Sequence, residues 1–173
     1  MKDIKKIVVI GPECTGKSTL SETLASQLQT VWVPEYAREH LDNLNRAYTE
    51  ADLLDIAMGQ LALEDKLLQN ANEYLICDTD LYVIKVWSEV KYGRCHPWIL
   101  EQIAARKYDT YLLTDIDIPW QDDPLREHPQ PEERQFLYNI YRDIVTNAGV
   151  SWAGISGDAG TRLSTALKAV RIS

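Results

Sequence analysis

The chain has 173 residues, 45% apolar and 25% charged, a composition that excludes disorder and a length that can bury one core. Its formal charge of −8 comes with no basic stripe, which argues against a nucleic-acid partner. No stretch approaches the ~18 apolar residues of a membrane span, nothing resembles a secretory signal, and the cysteines form no C-x-x-C pair, so a cytoplasmic protein with reduced thiols is expected.

Residues 7–10 (IVVI) form a short β-branched run of the kind a buried parallel strand uses. Leu20, Leu24 and Leu28, four apart, mark one face of a first helix ending near Gln29. Residues 31–33 read as a second strand closed by Pro34. A long helix is predicted over 50–70, with Leu54, Ala57, Met58, Leu61 and Leu68 on one face and Thr49 as its cap, Asp52 standing in the first turn. Residues 74–77 form the third strand, and a helix with Val83, Val86, Trp87 and Val90 runs to Gly93. Pro97 opens another helix that ends near Arg106. After a fourth strand at 110–113, residues 117–131 carry Pro119, Pro124, Pro129 and Pro131, which excludes helix and central strand and predicts a functional loop, a lid. A helix with Phe136, Ile140, Tyr141 and Ile144 follows, then a fifth strand at 151–155 and a closing helix with Leu163, Ala166, Leu167 and Val170.

Strands separated by helices require crossover connections, hence an α/β fold with a five-stranded parallel sheet and helices on both faces, in a single domain over 1–173. Ligands in such folds bind beyond the carboxyl ends of the strands. That rule selects residues 11–19, 34–40, 78–80, 114–126 and 156–160.

The first of these stretches spells G-x-x-x-x-G-K-S between a strand and a helix, the P-loop of the NTPase fold. Gly11 and Gly16 let the backbone curl with its N–H groups inward, and Gly11, Glu13, Cys14, Thr15, Gly16, Lys17, Ser18 and Thr19 are the expected ATP-binding set. Lys17 reaches the β- and γ-phosphates, and the Ser18 hydroxyl is placed to ligate Mg²⁺. Cys14 reads most simply as a small residue tolerated in the loop. A guanine-specific N-K-x-D is absent.

After the second strand, Glu35 is placed to take a proton from an acceptor hydroxyl as general base, and Arg38 to bind acceptor hydroxyls or offset phosphate charge, unless the two only pair at a helix start. After the third strand, Asp78 is the expected partner of Ser18 for Mg²⁺ and Asp80 the holder of a sugar hydroxyl, although either can take the metal side and Asp78 can cap the next helix. Tyr82 and Trp87 can sandwich a flat ring, and Trp87 equally fits a core face. In the fourth loop Trp120 can close over a ring while Arg126 closes on the transferring phosphoryl group. The bland alternative for this block is a solvated charged loop.

Together these stretches resemble the ribosylnicotinamide kinase domain of the NadR family. The resemblance rests on G-P-E-C-T-G-K-S-T at 11–19, P-E-Y-A-R-E at 34–39, D-T-D at 78–80, Y-G-R-C-H-P-W at 92–98 and W-Q-D-D-P-L-R at 120–126, in order and over nearly the whole chain. It implies transfer of the ATP γ-phosphate to the 5′-hydroxyl of nicotinamide riboside, with Mg²⁺, a pyridine ring held between aromatic side chains, and a lid arginine, here Arg126. By motif position it implies that Glu35 and Tyr36 line the acceptor pocket with Asp78 and Asp80 at its floor. Pro124 stands where the family's lid block has a flexible glycine, and Pro34 where an aromatic would stack. The helix-turn-helix and adenylyltransferase parts of multidomain members have no counterpart here, so neither function is expected. The sequence also admits other acceptors, a different nucleoside or a small metabolite, and a nucleotide-sensing switch.

Overall fold

The apolar run that opens the chain becomes the middle strand of the sheet. β1 (Lys5–Ile10) lies between β3 (Tyr74–Asp78) and β4 (Thr110–Thr114), with β2 (Trp32–Val33) and β5 (Ser151–Ile155) at the edges, in the order β2-β3-β1-β4-β5. Every pairing is parallel, and Val8 stands opposite Cys77 on one side and Tyr111 on the other. The structure, a computed structural model, describes residues 3–172. Among them are seven helices: α1 (Lys17–Gln27), α2 (Tyr36–Asp42), α3 (Glu50–Leu68), α4 (Leu81–Tyr92), α5 (Pro97–Ala105), α6 (Pro131–Asn147) and α7 (Ala159–Ile172). None is long and apolar enough to cross a membrane.

Alternation along β1 feeds two cores. Val8 and Ile10 pack with Leu75, Cys77 and Leu113 against Val86 of α4 and Leu137, Tyr141 and Val145 of α6. Ile7 and Val9 face the opposite way, onto Leu20 and Leu24 of α1 and Ala166 and Val170 of α7. Helices thus cover both faces, which is why residues 7–10 are apolar without interruption. A third cluster joins α2, α3, α4 and α5 through Ala37, Ile56, Ile84 and Ile99.

Three details differ from the sequence expectation. Residues 36–42 form a helix that hydrophobic periodicity does not reveal, because only Ala37 of its seven residues is buried. The inward face of α3 is Leu53, Ile56, Ala57, Gln60, Leu61 and Glu64, while Met58 is 45% exposed. Gln60 and Glu64 face inward because each has partners there. Gln60 accepts from the Tyr36 backbone N–H at 2.8 Å, and Glu64 accepts from Lys6 at 2.9 Å and the Tyr108 hydroxyl at 2.8 Å. On α6 the inward residues include Arg134 and Leu137, and Phe136 points to solvent.

The start of α3 behaves as read. Asp52 Oδ2 accepts from the Thr49 N–H at 2.7 Å, and the Arg46 guanidinium holds this carboxylate well below the usual range. A depressed folded-state pKa stabilises the fold above about pH 4, and that stabilisation is lost as the pH falls further. Asp52→Ala is therefore expected to cost about 1–2 kcal/mol at neutral pH. Urea unfolding should show the gap to the parent chain closing as the pH drops below about 4.

Candidate functional site

The end of β4 presses directly on the phosphate loop. A Cβ at Gly11 (φ +151°) would sit 2.4 Å from the Thr114 Oγ1 and 2.8 Å from its carbonyl oxygen, so only glycine fits. The Thr114 hydroxyl in turn lies 2.6 Å from that of Thr15, which donates to the Pro12 carbonyl at 2.8 Å. Gly16, at φ +76°, turns the chain into α1. Lys17 Nζ folds back over the loop and donates to the Pro12 carbonyl at 2.7 Å.

The Ser18 hydroxyl donates to Asp78 Oδ2 at 2.5 Å. Asp78 is 1% exposed, and its other oxygen is buried with no hydrogen-bond partner. Burial, with the nearby charge of Glu35, pushes this carboxyl up to about 6, against the opposing pull of Lys17 and Ser18. A buried, unpartnered carboxylate oxygen beside a hydroxyl offers the hard oxygen donors that Mg²⁺ takes, and the residues present fit that ion. Among the described residues no group of three or more His, Cys, Asp or Glu side chains could hold a metal alone. That suits Mg²⁺, which takes much of its shell from phosphates and water.

Asp80 is held behind the strand ends. It caps α4, accepting from the Tyr82 N–H at 2.9 Å, and its second oxygen accepts from the Tyr111 hydroxyl at 2.8 Å. Burial pushes it up to about 7. Asp80 is absent from the lining of the main cleft, so the structure does not bring it together there with Lys17 and Glu35.

That cleft has a cavity of about 240 Å³ bounded by the phosphate loop, α2, α4 and the lid loop. Lys17 and Glu35 both line it, as do Arg38 and Arg126, and Val83, Val86, Trp87 and Val90 form an apolar wall. The spacing of those four is one face of α4, whose phase is set by the Asp80 cap. The same phase sends Tyr82 to the opposite side, edge-on to Tyr111 at 6.4 Å and beside a void of only about 10 Å³.

Two other aromatic residues lie elsewhere than expected. The Tyr36 ring fills the space over Gly59, where a Cβ would meet it at 2.0 Å. Trp120 lies outside the cleft lining, with the guanidinium groups of Arg126 and Arg134 each 5.8 Å from its ring. Among the aromatic candidates, Trp87 is the one at the cleft, braced against Tyr48 at 5.0 Å and donating to its hydroxyl at 2.9 Å. Tyr141, not anticipated, joins it there.

The loop between β4 and α6 is tied down over the cleft. Glu13 accepts from the backbone N–H groups of Glu127 and His128 at 3.0 and 3.2 Å, so this carboxylate inside an anion-binding loop serves the lid. Arg38 pairs with Asp123 at 3.1 Å. Glu127 accepts from Lys91 at 2.8 Å and from the Tyr48 hydroxyl at 2.7 Å. Cys14 Sγ accepts from the Gln121 N–H at 3.2 Å, and Arg126 donates to the Gln121 carbonyl at 2.5 Å. No local sequence signal announces Tyr48 or Lys91, because their lid partner Glu127 is 79 and 36 residues away.

The profile of a family described as AAA domain matches residues 6–162. The chain belongs to the AAA-domain family. This AAA-domain chain is 26% identical over 156 residues to the trifunctional NAD biosynthesis/regulator protein NadR of Salmonella typhimurium, a match covering 88% of this chain and 38% of that protein. The Escherichia coli protein of the same name matches equally, so the chain spans less than two-fifths of the length of these relatives. Among solved structures, a NadR protein in complex with NR superposes with a TM-score of 0.83 at 22% identity, over 98% of this chain and 51% of that one. Deoxyadenosine kinase from M. mycoides with bound dATP gives 0.60 at 15% identity, over 96% and 99% of the respective chains. The fold is that of P-loop kinases.

Proposed function

We propose that this chain is an ATP-dependent kinase that phosphorylates the 5′-hydroxyl of nicotinamide riboside. One observation carries the reading: Lys17 and Glu35 line the same cleft beneath an arginine-bearing lid. The likeness to NadR, whose name states NAD biosynthesis and whose structure was solved with NR, supports the acceptor.

ATP lies with its phosphates on Gly11, Glu13, Cys14, Thr15, Gly16, Lys17, Ser18 and Thr19. Ser18 and Asp78 would hold Mg²⁺, which when bound neutralises phosphate charge. Glu35 accepts the proton of the 5′-hydroxyl as its oxygen forms a bond to the γ-phosphorus and the bond to the bridging oxygen of ADP breaks. Arg126 offsets the charge that develops on the transferring group. The acceptor's pyridinium is a flat cation, and Trp87 offers it a π-face at the apolar end of the cleft. Arg38, which lines the cleft and pairs with Asp123 of the lid loop, binds acceptor hydroxyls or offsets phosphate charge. The substrates are small molecules and the setting cytoplasmic.

A panel of nucleosides with ATP and Mg²⁺, read as ADP release, tests the assignment. Turnover is expected with nicotinamide riboside, and its absence alongside turnover of another nucleoside would replace the acceptor. Tight ATP binding in a calorimeter with no acceptor binding would instead indicate nucleotide sensing. Trp87→Ala is expected to raise the acceptor KM on the order of tenfold while kcat changes little, because a ring contact of this kind contributes to ground-state and transition-state binding alike.

A further inference from the structure

Two buried arginines stand behind the phosphate loop, outside the cleft lining. Arg134, on α6, is 8% exposed and donates through Nη2 to the Cys14 carbonyl and to the Ile118 carbonyl, both at 3.1 Å. Arg162, on α7, is 5% exposed and donates through Nη1 to the Thr15 carbonyl at 2.8 Å. Its Nε holds the Gly157 carbonyl at 2.9 Å, and it is ion-paired with Asp117. The two guanidinium groups therefore grip consecutive carbonyls of the loop.

Planarity gives this grip a consequence on the other side of the chain. In a trans peptide the carbonyl and the following N–H point in opposite directions, and the described residues contain no cis bond. A Cys14 carbonyl held by Arg134 directs the Thr15 N–H away from that arginine. A Thr15 carbonyl held by Arg162 does the same for the Gly16 N–H. Both residues line the cleft from which the arginines are absent.

The loop needs such support. Cys14 sits at φ +55° and Gly16 at φ +76°, so a left-handed residue flanks Thr15 on each side, and the first of them is not glycine. Peptide planes in such a turn can rotate unless something holds them. A charged donor grips a carbonyl more strongly than a neutral one.

We propose that Arg134 and Arg162 are positioning residues for the triphosphate: by pinning the Cys14 and Thr15 carbonyls from behind, they aim the Thr15 and Gly16 N–H groups at the phosphates. The inference rests on the reading that this loop binds a triphosphate and is independent of the acceptor. Each arginine governs one amide, and this pairing separates the idea from a merely structural role.

The test uses the full ¹⁵N-labelled chain, with amide spectra recorded with and without ATP and Mg²⁺. In the parent chain the Thr15 and Gly16 amide protons move downfield on binding. Arg134→Gln loses the Thr15 shift and keeps that of Gly16, Arg162→Gln does the reverse, and each raises the ATP Kd about tenfold or more. The proposal is overturned if the parent chain binds ATP with both amides unmoved, a result that needs no variant to fold. It is equally overturned if either variant loses both shifts alike, or keeps both with its affinity within about twofold of the parent. A parent chain that binds no ATP at all removes the functional reading itself, a different outcome from ATP bound with the wrong amide pattern.

Discussion

Replacing Lys17 with alanine is expected to cut phosphoryl transfer by about three orders of magnitude or more while the chain still folds. The lysine supplies the one side-chain cation that the phosphate loop itself carries. Its charge acts where negative charge concentrates in the transition state, so the loss appears mainly in turnover. Its structural share is small. It opens α1 with its ammonium group on the Pro12 carbonyl, and losing that hydrogen bond costs about 1 kcal/mol. The residues of α1 that enter the core, Leu20 and Leu24, lie further along and are untouched. A melting temperature within several degrees of the parent, measured beside the rate of ADP release, would separate the two effects. Transfer retained within about tenfold would remove the phosphate loop from the mechanism.

What could be read from the sequence follows from how locally each feature is encoded. The central strand is legible because a strand covered on both faces must be continuously apolar, and residues 7–10 are. The phosphate loop is legible because Gly11, Gly16, Lys17 and Ser18 perform their tasks within eight residues of chain. Asp78 is legible as the polar end of an apolar strand, whereas the commitment of Asp80 to Tyr111 depends on a strand that arrives 31 residues later. Arg162 reaches the loop across 147 residues of sequence and Arg134 across 120, and no window of periodicity contains both partners. The inward positions of Gln60 and Glu64 on α3 are hidden for the same reason: a polar residue faces the core only when a distant partner satisfies it. The phase of α4 divides Trp87 from Tyr82, putting the first on the cleft and the second behind it.

Glu35→Gln is the sharper probe of the chemistry, because it keeps side-chain volume and removes only the capacity to take a proton. Turnover is expected to fall about 10²–10³-fold, with the ATP KM within a few-fold of the parent. Glu35 stands at the N-cap of α2 but makes no side-chain capping bond, so its carboxylate is free for the cleft and the substitution leaves the helix start as it was. The electrostatic side effect works against the expected loss. The charge of Glu35 is one of the causes that push Asp78 up to about 6, and removing it makes Asp78 easier to ionise beside Ser18. A metal site that improves cannot explain a slower enzyme, so a drop in kcat points to the missing base. Undiminished turnover in Glu35→Gln would mean that another group takes the proton, with Asp78, whose carboxyl feels the charge of Glu35, as the candidate. In that case the proton would leave through the same residue that the metal needs ionised, and Asp78→Asn would abolish transfer in a chain that still binds ATP.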